Sequence, residues 1–134
     1  MTVDAELAPL LQLAIEAAGR AYIPYSHYAV GAALRALDGT VFTGCNVENA
    51  AYPATICAER TALVKAVSEG RRAFDLIVVV TANGGSPCGT CRQMLFEFAP
   101  NLRVVMADLQ GNIHADQPLN AMLLMGFGPE HLPR

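Results

Sequence analysis

Two short cysteine-bearing segments, Thr55-Ile56-Cys57-Ala58-Glu59-Arg60 and Pro87-Cys88-Gly89-Thr90-Cys91-Arg92-Gln93, carry the residue types best suited to chemistry in this sequence. A C-x-x-C pair alone occurs in structural zinc sites and in redox proteins; a third cysteine two residues before a glutamate narrows the choice. Cys57, Cys88 and Cys91 can converge on one metal ion and leave one tetrahedral position open. An open position marks a catalytic zinc, and Glu59 is spaced to stand beside it. The chemistry expected is activation of water. The rival reading adds Cys45 to close a four-cysteine structural zinc, giving an interaction module without turnover.

C-A-E at 57–59 followed by P-C-x-x-C at 87–91 resembles the signature of the zinc-dependent nucleoside deaminases. The surrounding sequence is similar to the small cytidine deaminases over most of its length. The resemblance implies one Zn²⁺ per subunit on Cys57, Cys88 and Cys91, with Glu59 as the general acid/base, the role given to this glutamate in zinc deaminases generally. The activity implied is hydrolytic deamination of cytidine and 2'-deoxycytidine, in pyrimidine salvage. A deaminase of another aminopyrimidine nucleoside, such as blasticidin S, is the alternative.

Three thiolates outweigh Zn²⁺ by one negative charge, so something must draw charge back. Arg60, three residues after Cys57, is placed to donate to ligand sulfur; an ordinary surface arginine is the plainer reading. Asn46 and Glu48 fall two apart, on one side of an extended segment, where they suit the hydroxyls of a sugar or merely cap a loop. The resemblance assigns them to the ribose. Tyr28 either stacks on the pyrimidine or packs in the core, and by resemblance Ala58 meets the ring edge through its backbone. Tyr52 lines a neighbouring subunit's pocket or packs locally. Phe127 matches the family's C-terminal aromatic, which closes an adjacent subunit's site, although Met125 stands where that pattern has proline. His27, His114 and His131 read as loop or surface residues.

The elements that must hold these residues follow from periodicity. Leu7, Leu10, Leu11, Ala14, Ile15 and Ala18 recur at helical spacing between about Asp4 and Arg20. A loop at 21–27 precedes two strand-like runs, Tyr28 to Leu37 and Thr40 to Cys45, joined by Asp38-Gly39. Gly31 inside the first marks close approach of another backbone or ring. A helix over Cys57 to Glu69 is closed by Gly70, and Phe74 to Thr81 reads as a strand buried on both faces. A helix over Cys88 to Phe98, a strand over Leu102 to Ala107, a short return at Ile113-His114 and a helical piece over Leu119 to Leu124 complete the chain. The pattern predicts one domain over 1–134, a three-layer α/β/α sandwich around a five-stranded mixed sheet.

With 134 residues, 53% of them hydrophobic and 16% charged, the chain has apolar residues beyond those a core needs. That surplus, with the resemblance, predicts a homotetramer whose sites are shared between subunits. No apolar run approaches the roughly 20 residues that span a bilayer, and four cysteines in such a chain read as thiols or ligands, so the protein is expected in the cytoplasm. A net charge of −3 without a basic stripe argues against nucleic acid.

Overall fold

The structure is a computed structural model and describes residues 4–133. Its first helix, α1 (Leu7–Ala18), starts where Asp4 accepts the Leu7 N–H at 3.0 Å, satisfying one of the donors a helix start leaves free. Leu7, Leu10, Leu11 and Ala14 form its buried stripe. The hairpin follows as β1 (Gly31–Ala36) and β2 (Val41–Cys45), shorter than the predicted runs because the chain at Tyr28–Val30 is committed to loop contacts described below. Gly39 takes φ +91° in the turn, a conformation other residues adopt at a cost.

Helix α2 (Ala58–Ser68) leads to β3 (Phe74–Thr81), and α3 (Gly89–Phe98) to β4 (Arg103–Asp108). The final strand β5 (Ile113–Pro118) is longer than the two-residue return expected. Its exposed, polar outer positions hid its full extent, since an edge strand shows little of the hydrophobic pattern. The helix expected over 119–124 is a single 3₁₀ turn at Leu119–Ala121, following directly on Pro118.

The sheet runs β2-β1-β3-β4-β5, antiparallel except for the parallel β3/β4 pair. Side-chain alternation along β3 divides the core. Leu76, Val78 and Val80 pack with α1, while Ile77 and Val79 pack on the opposite face with residues of α2 and α3. The three layers predicted are therefore present. Leu34, Leu63 and Ile77 are wholly excluded from solvent, and each such side chain stabilises the fold by about 1.5–3 kcal/mol.

Two glycines let the layers approach. A methyl on Gly31 would lie 1.9 Å from the Ala14 carbonyl oxygen of α1, which is the backbone approach expected there. One on Gly44 would lie 2.6 Å from the Ala58 oxygen and the Ala62 nitrogen, where β2 passes under the start of α2. Lys65 of α2 donates to the Thr43 carbonyl of β2. Close contact thus fixes the helix whose first turn carries Glu59.

Candidate active site

Cys57 and Cys88 are the residues immediately before α2 and α3, both with extended backbone, one position outside the helices rather than their first residues. Free N–H groups at a helix start favour negative charge and thiolate formation. Cys91 follows one turn into α3 and is fully buried. The Cys57 and Cys88 sulfurs are 3.8 Å apart and those of Cys88 and Cys91 3.5 Å, with all three within 4.8 Å of one another. Sulfurs about 2.3 Å from a tetrahedral zinc lie roughly 3.8 Å apart, so the donor set fits that ion. Cys45 does not join this cluster; its thiol faces the Arg20 carbonyl oxygen at 3.6 Å.

Cys57 is lowered to about 5, first by a hydrogen bond from Cys91 and then by Arg60, while Cys91, as the donor, is pushed upward. Arg60 Nη2 stands 3.5 Å from Cys57 Sγ and 3.4 Å from the Thr55 carbonyl oxygen. The guanidinium thus faces the sulfur cluster rather than a surface acid.

Glu59 is 4% exposed, and its Oε1 is buried without a hydrogen-bond partner. Burial raises its carboxyl to about 7. A buried acceptor left unpaired is costly unless a ligand or water completes it. Glu59 lines a cavity of about 270 Å³ together with Cys57 and Cys88.

Tyr28, Asn46 and Glu48 line the same cavity. Asn46 is nearly buried: its Oδ1 accepts the Val30 N–H at 2.9 Å and its Nδ2 donates to the Tyr28 carbonyl oxygen at 2.8 Å. Glu48 Oε1 accepts the Tyr25 and Ser26 N–H groups at 3.0 and 3.2 Å. Both therefore fasten the loop, as the capping reading expects, and both also line the cavity. Contact with Ser26 lowers the Glu48 carboxyl. Tyr28 does not pack in the core; its hydroxyl donates to Asn83 Oδ1 at 2.6 Å. Ala58 is fully buried at the head of α2, between two cavity residues.

Tyr52 and Phe127 are not brought to this cavity. Tyr52 is 71% exposed and meets Tyr25 edge-on, with ring centroids 5.8 Å apart. Phe127 is 54% exposed and stacks on His131 at 5.2 Å. Sequence reasoning passed over Thr81, Gly85 and Ser86, which line the cavity. Thr81 ends β3, and the rule that ligands gather at the carboxyl ends of strands in α/β sheets would have flagged it. Arg92 ties the same region together, donating to the carbonyl oxygens of Pro87 and Met122 and to Ser86 Oγ at 2.8, 2.8 and 2.9 Å.

This is the layout of a zinc enzyme that acts on water, with no fourth cysteine to saturate the metal. The model of the cytidine and deoxycytidylate deaminase zinc-binding region matches residues 5–107, and the chain belongs to that family. It is 50% identical to a cytidine deaminase of Sporosarcina psychrophila over 84% of this chain and 85% of that protein. The crystal structure of cytidine deaminase from Burkholderia pseudomallei superposes with a TM-score of 0.85 at 42% identity, covering 93% of this chain and all of the other. A blasticidin-S deaminase of Bacillus cereus is 32% identical over 78% of this chain and 80% of its own length.

Proposed function

We infer that this chain catalyses the hydrolytic deamination of cytidine and 2'-deoxycytidine, giving uridine or 2'-deoxyuridine and ammonia. The observation that carries the reading is Glu59, a buried acid whose Oε1 has no hydrogen-bond partner and whose residue lines the same cavity as Cys57 and Cys88. Bound zinc would supply Lewis acidity, which makes the water it meets easier to deprotonate. Cys57, Cys88 and Cys91 would hold it. Arg60 and the two helix starts offset the surplus thiolate charge.

Water adds at C4 of the pyrimidine. Glu59 accepts its proton, delivers it to ring N3, and carries a second to the amine that leaves as ammonia. The Tyr28 ring forms one wall for the base, and the backbone at Ala58 meets the polar edge of the ring. After their loop contacts, Asn46 retains one N–H and Glu48 its second oxygen for ribose hydroxyls.

Among the described residues no lysine or arginine lines the cavity, whereas Glu48 and Glu59 do. A 5'-phosphate entering beside Glu48 would meet like charge, which favours the nucleoside over deoxycytidylate. In this reading residues 1–134 form a single deaminase domain. Exposed Tyr22, Tyr52, Leu124, Met125 and Phe127 support a homotetramer whose neighbouring subunits add Tyr52 and Phe127 to the site. Free thiols at all four cysteines suit a reducing cytoplasm, where such an enzyme serves pyrimidine salvage. Among the described residues, no helix is long and apolar enough to cross a membrane.

The test is ultraviolet-monitored turnover of cytidine, deoxycytidine, deoxycytidylate, cytosine, adenosine and blasticidin S. Cytidine and deoxycytidine are expected to react and deoxycytidylate to lag. A preference for blasticidin S would move the chain toward its Bacillus cereus relative.

A further inference from the structure

The loop between β3 and α3 forms one wall of the cavity through Gly85 and Ser86 and runs directly into Cys88. From the cavity side it is held by a chain of polar contacts. Tyr28 Oη donates to Asn83 Oδ1 at 2.6 Å, Thr81 Oγ1 lies 3.4 Å from the same oxygen, and the Gly85 N–H donates to Thr81 Oγ1 at 2.8 Å. Tyr28, the proposed wall for the base, is therefore oriented through Asn83.

The outer side of this loop is backed by His114, which lies outside the cavity. A methyl built on Gly84 would lie 2.3 Å from the His114 ring Cγ, 2.6 Å from Cδ2 and 2.7 Å from Nδ1, so the ring lies against the glycine backbone. Gly84 itself takes φ +72°, where a side chain would be strained. His114 Nε2 is 2.8 Å from Asp108 Oδ2, and an ionised carboxylate only accepts, so Nε2 carries the hydrogen. Asp108 is fixed in turn by the Gln110 and Asn112 N–H groups, at 2.9 and 3.0 Å, and by Asn112 Nδ2. It pairs with Thr81 across the parallel β3/β4 ladder. Two adjacent strand ends thus grip the loop from opposite sides.

We propose that His114, oriented by Asp108, is a positioning residue for the deamination, setting the Gly84 loop and through Asn83 the plane of the Tyr28 ring. The proposal rests on the deaminase reading. Without the imidazole the loop relaxes outward, Asn83 drifts from the Tyr28 hydroxyl, and the base is held less well. Glu59 on α2 and the sulfurs at the starts of α2 and α3 stay in place, because Arg92 anchors Ser86 and Pro87 between the loop and Cys88. The effect therefore falls on KM rather than on kcat.

The experiment is steady-state kinetics on cytidine with zinc content measured for each variant. His114→Ala is expected to raise KM roughly three- to tenfold, the range one net hydrogen bond supports, with kcat within about twofold and zinc retained. His114→Gln, which keeps a donor to Asp108 but loses the ring, should fall between. Tyr28→Phe cuts the link to Asn83, so adding His114→Ala to it should raise KM no further. If His114→Ala loses its zinc or its cooperative thermal transition, the same cycle is run with His114→Gln and judged by the same criterion. Effects that multiply in the double variant, or His114→Ala kinetics equal to wild type, overturn the positioning role alone. A wild-type chain that leaves cytidine unchanged overturns the functional reading and this proposal with it.

Discussion

Arg60 turns back along the first turn of α2 so that its Nη2 lies 3.5 Å from Cys57 Sγ, placing a permanent cation against a sulfur of the metal cluster. Cys57 is lowered in part by this contact. Replacing Arg60 with Gln removes the charge and leaves only a shorter, neutral donor. Zinc affinity, measured by competition with a chelator, should fall about 10- to 100-fold, the usual cost of removing a group that supports a ligand. Unchanged affinity would remove Arg60 from the charge balance.

Glu59→Gln keeps the shape of the side chain and abolishes its proton chemistry. Turnover of cytidine should drop by about 10²- to 10⁴-fold with zinc still bound. Because Oε1 has no partner to lose, the thermal midpoint should hold or rise. Turnover within tenfold of wild type would assign the proton transfer elsewhere.

Gly44→Ala tests how tightly the site depends on its scaffold. The added methyl would lie 2.6 Å from backbone atoms of α2 and must displace the helix that carries Glu59. Overpacking of this kind costs about 1–3 kcal/mol, and a shifted Glu59 should lower kcat as well. Urea unfolding together with kinetics reads both. Wild-type stability would mean that α2 can slide without consequence.

The metal ligands and Glu59 were legible in the sequence because each lies within one turn of a helix start and the chemistry is written in spacings of two and three residues. Tyr28, Asn46 and Glu48 were legible as candidates for the cavity, and Asn46 and Glu48 also as loop caps, but the partners they bond were not. The Asn46 contacts to Tyr28 and Val30 span 18 and 16 positions, and those of Glu48 to Tyr25 and Ser26 span 23 and 22, distances across which local pattern carries no signal. The Tyr28 to Asn83 link, 55 positions apart, was hidden for the same reason. Tyr52 and Phe127 were singled out by resemblance, and in one chain they lie on the surface. Only Ile113-His114 of the strand Ile113–Pro118 was read as a return, because the outer positions beyond it are exposed and polar.

Asp108 gives an acid-stability prediction. The His114 hydrogen bond, followed by the Asn112 N–H, lowers its carboxyl from 3.8 to about 2. A depressed folded-state pKa means that the stabilisation is complete above 3.8, declines as pH falls through that value, and is gone below about 2. Wild type should therefore lose stability more steeply than Asp108→Asn between about pH 4 and pH 2, as read by denaturant midpoints. Parallel pH profiles would show that the carboxylate contributes nothing through its charge.

The bond from Lys65 to the Thr43 carbonyl has a consequence for how the protein behaves at high concentration. An outer strand normally offers a template on which foreign chains can grow, and fibrils begin there. On β2 a cationic side chain from the overlying helix already occupies one of those template groups. At the far border, Pro118 ends β5 with a residue that has no N–H to give, and Asp116 adds charge. Each margin of the sheet thereby carries a feature that disfavours such stacking.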